Sequence, residues 1–236
     1  MTNTHMSEFP SRYLARFAGF LYLIIILFGI SSEVFIRSSL IDFSNPAVTA
    51  ANLTESVSLF KLGFAADMIM VLCDVALAVL LFVLLKPVSR TLLLVAMVFR
   101  LLQASILGMN LLNYAAAALI LQGVVYIETL GPAQLNALAL LFLDLHRYGY
   151  DLGLVFFAVS NLIIGYLLVK ARYFPAFLGY GLIAAALVYF SGSCVRFLFP
   201  ESLSLIEPFY LIPLLAESAF CLWLLIKGVR PLDKTD

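Results

Sequence analysis

The sequence predicts an all-α polytopic fold: a six-helix transmembrane bundle with a short interfacial or re-entrant helix before the fourth span. Three features carry that prediction. Of the 236 residues 64% are hydrophobic and only 12% charged, with a mean hydropathy of +1.07, whereas a soluble domain carries roughly a quarter charged residues. Six apolar runs approach or exceed the roughly 20 residues a helix needs to cross a hydrocarbon core. The basic residues that flank those runs gather on one side of the predicted membrane.

The runs cover residues 13–32, 59–85, 92–121, 148–169, 174–199 and 208–226. The second and third are longer than a span, so tilt or protrusion is expected of them. Arg12 and Arg16 precede the first run, and Lys86 and Arg90 separate the second from the third. Lys170 and Arg172 separate the fourth from the fifth, and Lys227, Arg230 and Lys234 follow the sixth, which puts nine of the fourteen basic residues on one side. Glu33, Asp42, Glu55, Glu128, Asp144, Glu201 and Glu207 fall on the other. The positive-inside rule then makes both termini cytoplasmic and the chain a multi-pass protein of the plasma (inner) membrane. A single six-span domain, 12–228, is expected between short cytoplasmic tails, 1–11 and 229–236. The first run resembles the apolar stretch of a signal peptide, but it is long for one and no A-x-A site follows, so it is read as a retained helix.

The connections carry their own signals. Residues 33–54 read as an outer loop whose "NPAVTAAN" turns at Asn45-Pro46. Asn52 with Glu55 three residues on fits a capping box, which places a new helix start near Asn52. Asn52-Leu53-Thr54 is also a formal glycosylation sequon, relevant only in a secretory host. "GPAQLNALALLFLDLHR" opens with proline at a first helical position. If that segment ran unbroken into the fourth span, the helix would be about 55 Å long, at about 1.5 Å per residue. A break is therefore expected between Arg147 and Gly149, with the preceding piece lying in the interface or dipping back into the membrane.

Polar side chains inside the spans are the informative exceptions. Asp67 and Asp74 lie seven apart, on one face of the second helix. Arg100, Gln103, Asn110 and Tyr114 form a stripe on the third, with Asn113 beside it. Counted from the shared connection at 86–90, Asp74 falls level with Arg100, and Asp67 with Asn110. The expected pairs are Asp74 with Arg100 or Gln103, and Asp67 with Asn110 or Asn113. "LDLHRYGYDLGLVFF" adds His146, Tyr150 and Asp151 at the outer end of the fourth helix, with Asn161 deeper. Ser191, Ser193 and Arg196 end the fifth at a comparable depth, and Glu217 lies about nine residues inside the sixth.

Each unpaired charge near the bilayer centre costs about 2.5 to 3.5 kcal/mol on the insertion scale. Four acids and Arg100 left bare would cost on the order of 10 kcal/mol, the size of a whole folding free energy. They must face the bundle interior, paired, protonated or hydrated. Asp74, Arg100 and Gln103 are read as a structural polar group. Asp67, Asn110, Asn113, His146, Tyr150, Asp151, Arg196 and Glu217 are the candidates for a ligand or proton site, expected to meet in one wet, outward-facing cavity.

Several chemistries are excluded or unsupported. The net charge is zero, which offers no basic face for nucleic acid. Only two histidines exist, one of them His5 in the tail, so a three-histidine or HExxH zinc site is excluded and no metal is expected. Cys73, Cys194 and Cys221 all sit in apolar runs and read as small buried hydrophobes. No GxSxG, Walker A or dinucleotide-binding glycine pattern occurs, so no cofactor is expected.

Several longer strings carry a resemblance. "LARFAGFLYL" in the first helix, "LGFAADMIMVLCDVALAVLLFVLLKPV" in the second and "NLLN" in the third are among them, as are "HRYGYDLGLVFFAVSNLIIGYLL" and "YFPAFLG". Together they resemble the bacterial membrane family defined by domain of unknown function 4386, over about residues 11–226. The resemblance implies a six-helix inner-membrane protein and brings no activity, cofactor or catalytic residue. Three functions stay open on the residues themselves. The leading one binds or moves a small or lipophilic solute, with or without proton coupling. An intramembrane enzyme acting on a lipid-like substrate would use His146 and a carboxylate as acid and base. A structural or sensory membrane partner would have no chemistry of its own. The bilayer is the expected partner, and the oligomeric state is open.

Overall fold

The computed structural model describes residues 11–123 and 129–229. His5, Glu128, Arg230 and Lys234 lie outside the described residues. The described chain is helical throughout, with no strand. The helices are α1 (Arg12–Ile30), α2 (Ser38–Leu40), α3 (Pro46–Glu55), α4 (Val57–Leu85) and α5 (Arg90–Leu121). They continue as α6 (Pro132–Lys170), α7 (Ala176–Leu198), α8 (Leu203–Ile206) and α9 (Leu211–Ile226). Six runs are long and apolar enough to cross a membrane: Arg12–Leu40, Val57–Leu85, Arg90–Leu121, Pro132–Lys170, Ala176–Leu198 and Pro200–Ile226. Each contains one of the six apolar segments of the sequence, to within two residues.

Burial is inverted relative to a soluble protein. Asp67, Asp74, Arg100, Asp151 and Glu217 are buried, while Leu62, Leu72, Met109, Leu112, Leu187 and Leu215 are more than half exposed. Charges inside and leucines outside are what a bundle solvated by acyl chains requires.

Two expectations are corrected. Residues 33–54 are mostly helix, not loop. α1 passes through a π-helical turn, Ser31–Arg37, and continues to Leu40. After a turn, Asn45 caps α3: its side chain accepts from the N–H groups of Ala47 and Val48 at 3.2 Å, and Pro46 follows at the first helical position. An asparagine cap followed by proline is the stronger start signal. Asn52 lies inside α3 instead and donates to the Leu40 carbonyl at 3.2 Å. Beside this turn the Asp42 carboxylate accepts from the Ser44 hydroxyl at 2.6 Å and the Ser44 N–H at 2.9 Å. Those bonds, the hydroxyl first, hold its pKa below the ordinary value.

The second correction concerns the fourth span. No break occurs at Arg147–Gly149, and among the described residues no separate interfacial or re-entrant helix precedes the span. α6 is one helix of 39 residues, about 58 Å long at about 1.5 Å per residue. Gly149 is a packing position rather than a joint, because a Cβ there would overlap the Asn110 carboxamide. Asn110 in turn donates to the His146 carbonyl at 2.7 Å, which braces α6 where the sequence suggested it would part.

The chain forms two compact units. The first comprises the described parts of Met1–Leu23, Asp74–Gln103 and Leu154–Asp236. In it α6 and α7 touch backbone to backbone: a Cβ on Gly165 would sit 2.7 Å from the Gly179 carbonyl oxygen, so only glycine permits the approach. Gly181 faces Ala216, so the small residues of α7 serve packing within the chain. The buried Tyr173 hydroxyl donates to the Leu84 carbonyl at 3.1 Å, near the end of α4. The second unit comprises Ile24–Cys73 and Ala104–Gly153. Its core stacks Phe60 on Tyr114, ring centroids 4.0 Å apart, among Ile36, Leu53, Ala139 and Leu143. The Tyr114 hydroxyl donates to the Phe60 carbonyl at 3.0 Å.

Candidate functional site

Among the described residues a buried polar cluster lies in each unit. In the first unit Arg100 is 1% exposed. Its Nε and Nη2 donate to Asp74 Oδ1 at 2.9 and 2.5 Å. With its amide oriented to donate, Gln103 reaches Asp74 Oδ2 at 2.7 Å. Both carboxylate oxygens are thereby satisfied. The guanidinium lies over the rings of Phe157, at 4.8 Å, and Tyr22, at 5.6 Å, which adds a cation–π contribution. Asp74 with Arg100 and Gln103 is thus found as the sequence suggested. Glu217 joins this unit and accepts from Asn161 Nδ2 at 3.1 Å.

The second cluster rests on a residue that sequence reading had placed in a loop. Arg37, at the end of the π turn, is buried. Its Nε donates to Glu33 at 2.7 Å, and its Nη1 donates to Ser32 Oγ at 2.8 Å and to Asp67 Oδ2. The turn explains the geometry. π-helical pairing bonds residues five apart, so Ser32 and Arg37 come onto one face, and both are buried. The Arg37 guanidinium also lies 5.9 Å from the Tyr150 ring centroid.

Asp67 therefore pairs with Arg37, not with Asn110 or Asn113. Asn110 is taken up by α6 through a reciprocal pair of bonds: its Nδ2 donates to the His146 carbonyl, and His146 Nδ1 lies 3.1 Å from the Asn110 carbonyl oxygen. Asn113 donates to Asn110 Oδ1 at 3.0 Å. A carbonyl oxygen only accepts, so His146 Nδ1 carries a hydrogen; in the neutral ring that leaves a lone pair at Nε2. Asp67 Oδ1 and His146 Nε2 are both buried without a hydrogen-bond partner among the described residues. They border one slit, closed in by Met70, Leu107, Asn110 and Tyr150 and too narrow for a water-sized sphere.

The residues expected from the sequence to line one wet cavity divide between the two units. Asp67, Asn110, His146 and Tyr150 come together in the second unit, with Asn113 adjoining. Glu217 and the half-buried Arg196 belong to the first unit. Asp151 is buried in the second unit. A larger cavity of about 470 Å³ opens among Ala47, Thr54, Glu55, Ile120 and Leu135, and none of the candidate residues lines it.

Six helices long and apolar enough to cross a membrane, with an ion pair buried in each unit, define the class: a multi-pass helical membrane protein. The family model for domain of unknown function DUF4386 matches residues 17–228, and the chain belongs to that family. Comparison with curated proteins gives no match, and neither does comparison with solved structures.

Proposed function

We propose that this membrane protein binds, and in a further step moves, a small or lipophilic solute at the Asp67–His146 slit. One observation carries the reading: Asp67 and His146 line the same slit, and each holds a buried polar atom, Oδ1 and Nε2, with its hydrogen-bonding capacity unused. Buried polar groups are almost always satisfied, and a pair of exceptions converging on one place is what a ligand site looks like without its ligand. Arg37 and Asn110 position the two groups, by the ion pair to Asp67 and by the reciprocal bonds to His146. The slit is closed to water, so binding requires the surrounding helices to separate locally.

The orientation proposed with this function is the inner membrane with both termini cytoplasmic. It is supported by Arg12, Arg16, Lys86, Arg90, Lys170, Arg172 and Lys227, all at the membrane-flanking positions that the positive-inside rule weighs. The test of function is a solute screen by thermal shift on the detergent-purified chain, followed by uptake into vesicles. The expected result is a solute class that stabilises wild type and fails on Asp67→Asn and His146→Phe. If every solute that stabilises wild type stabilises both variants equally, the slit is not the site.

A further inference from the structure

We infer that the slit recognises a hydrogen-bond-donating cation, a primary ammonium group borne on a short apolar stem. This rests on the reading of the slit as a binding site and names the class of its ligand. Both unused atoms are acceptors. Asp67 Oδ1 as a carboxylate has only lone pairs to offer, and in the neutral imidazole His146 Nε2 is an acceptor, since Nδ1 holds the ring's one hydrogen against the Asn110 carbonyl. An anion would meet two lone pairs, whereas an ammonium group brings N–H donors to both.

The surrounding charge agrees. Among the described residues, the charged side chains buried in the second unit are Arg37, Asp67 and Asp151. Arg37 directs its Nη1 to Asp67 Oδ2 and its Nε to Glu33, leaving Oδ1 on the other side of the carboxylate. Two carboxylates, Asp67 and Glu33, share the one guanidinium of Arg37, a balance that favours a cation. A quaternary ammonium has no N–H to give, and the Tyr150 ring that would attract it already lies beside Arg37. Met70 and Leu107 wall the remainder of the slit, which suits an alkyl stem.

The test is thermal unfolding of the full chain in detergent at matched ionic strength, with n-butylammonium, tetramethylammonium or butyrate added. The expected result is a saturable rise in Tm of about 3 °C or more with butylammonium alone. Asp67→Asn and His146→Phe should each abolish that rise. Equal stabilisation by tetramethylammonium would overturn the donor requirement. Stabilisation by butyrate and not by butylammonium would overturn the ligand class while leaving the slit as a site. No response to any of the three, or a butylammonium response retained by both variants, would overturn the inference as well. If a variant fails to fold, the comparison of the three probes on wild type still decides the ligand class.

Discussion

Among the described residues each unit buries an arginine–aspartate pair, Arg100 with Asp74 and Arg37 with Asp67, and the two pairs are completed differently. In the first, Asp74 receives two donors from Arg100 and one from Gln103, and aromatic rings flank the guanidinium. In the second, Asp67 gives one oxygen to Arg37 and leaves the other, with His146 Nε2, facing a slit. Both aspartates sit on α4, seven residues apart, in the same apolar setting. The difference teaches that burial of a charge says little about its role. What separates a fastener from a binding group is whether its hydrogen-bonding capacity is used up.

The largest effect should come from opening the completed pair. Arg100→Met leaves Asp74 buried without its counter-charge and should cost about 3–5 kcal/mol, read as a drop in unfolding midpoint in detergent. The double variant Arg100→Met, Asp74→Leu should recover much of that loss, since an apolar pair replaces an ionic one with little penalty. Recovery would sharpen the comparison by marking this pair as architecture. Next is Asn110→Ala, which removes the bond to the His146 carbonyl and opens a gap beside Gly149. It should cost about 2 kcal/mol and, unlike Arg100→Met, should also abolish any ligand response by releasing His146.

Asp67→Asn should cost less, about 1–2 kcal/mol, because Arg37 keeps Glu33 and Ser32 as partners. A loss as large as that of Asp74→Asn, measured on the same scale, would break the contrast between the two pairs. The smallest effect belongs to Tyr173→Phe, which should cost about 1 kcal/mol through the lost bond to Leu84. Burial raises the Tyr173 pKa to about 12. The folded state therefore keeps a proton that the unfolded state releases from about pH 10, and stability falls as pH rises across that window. The phenylalanine variant should show a shallower alkaline decline.

The six spans were legible because an apolar run long enough to cross a bilayer has few alternatives. The Asp74–Arg100 pair was legible too, since a short connection lets depth be counted from a common origin. Counting failed where backbone geometry departs from the ideal. "SSEVFIRSSL" is polar enough to read as a helix exit, and nothing in residue type announces a π turn, so Arg37 was assigned to a loop and Asp67 to the wrong partner. The spacing of Glu33 and Arg37, one helical turn apart, was the one available hint. Depth alone puts Glu217 level with His146; within the first unit its partner is Asn161. Its helix is preceded by α8 and two short 3₁₀ turns, Pro200–Ser202 and Glu207–Tyr210, so no clean outer end exists to count from. Gly149 showed the reverse error: a glycine in a long helix suggested freedom, whereas it marks the closest approach of a neighbouring side chain.

The π turn at Ser31–Arg37 has a genetic consequence. Such a turn behaves as an α-helix carrying one surplus residue. Winding the same residues as ordinary α-helix, with no codon removed to compensate, would swing every later side chain of that helix by about 100°. The guanidinium would leave Asp67 although no chemical group in the cluster had been altered. The placement of this buried cation is therefore written in the length of the chain as much as in its composition.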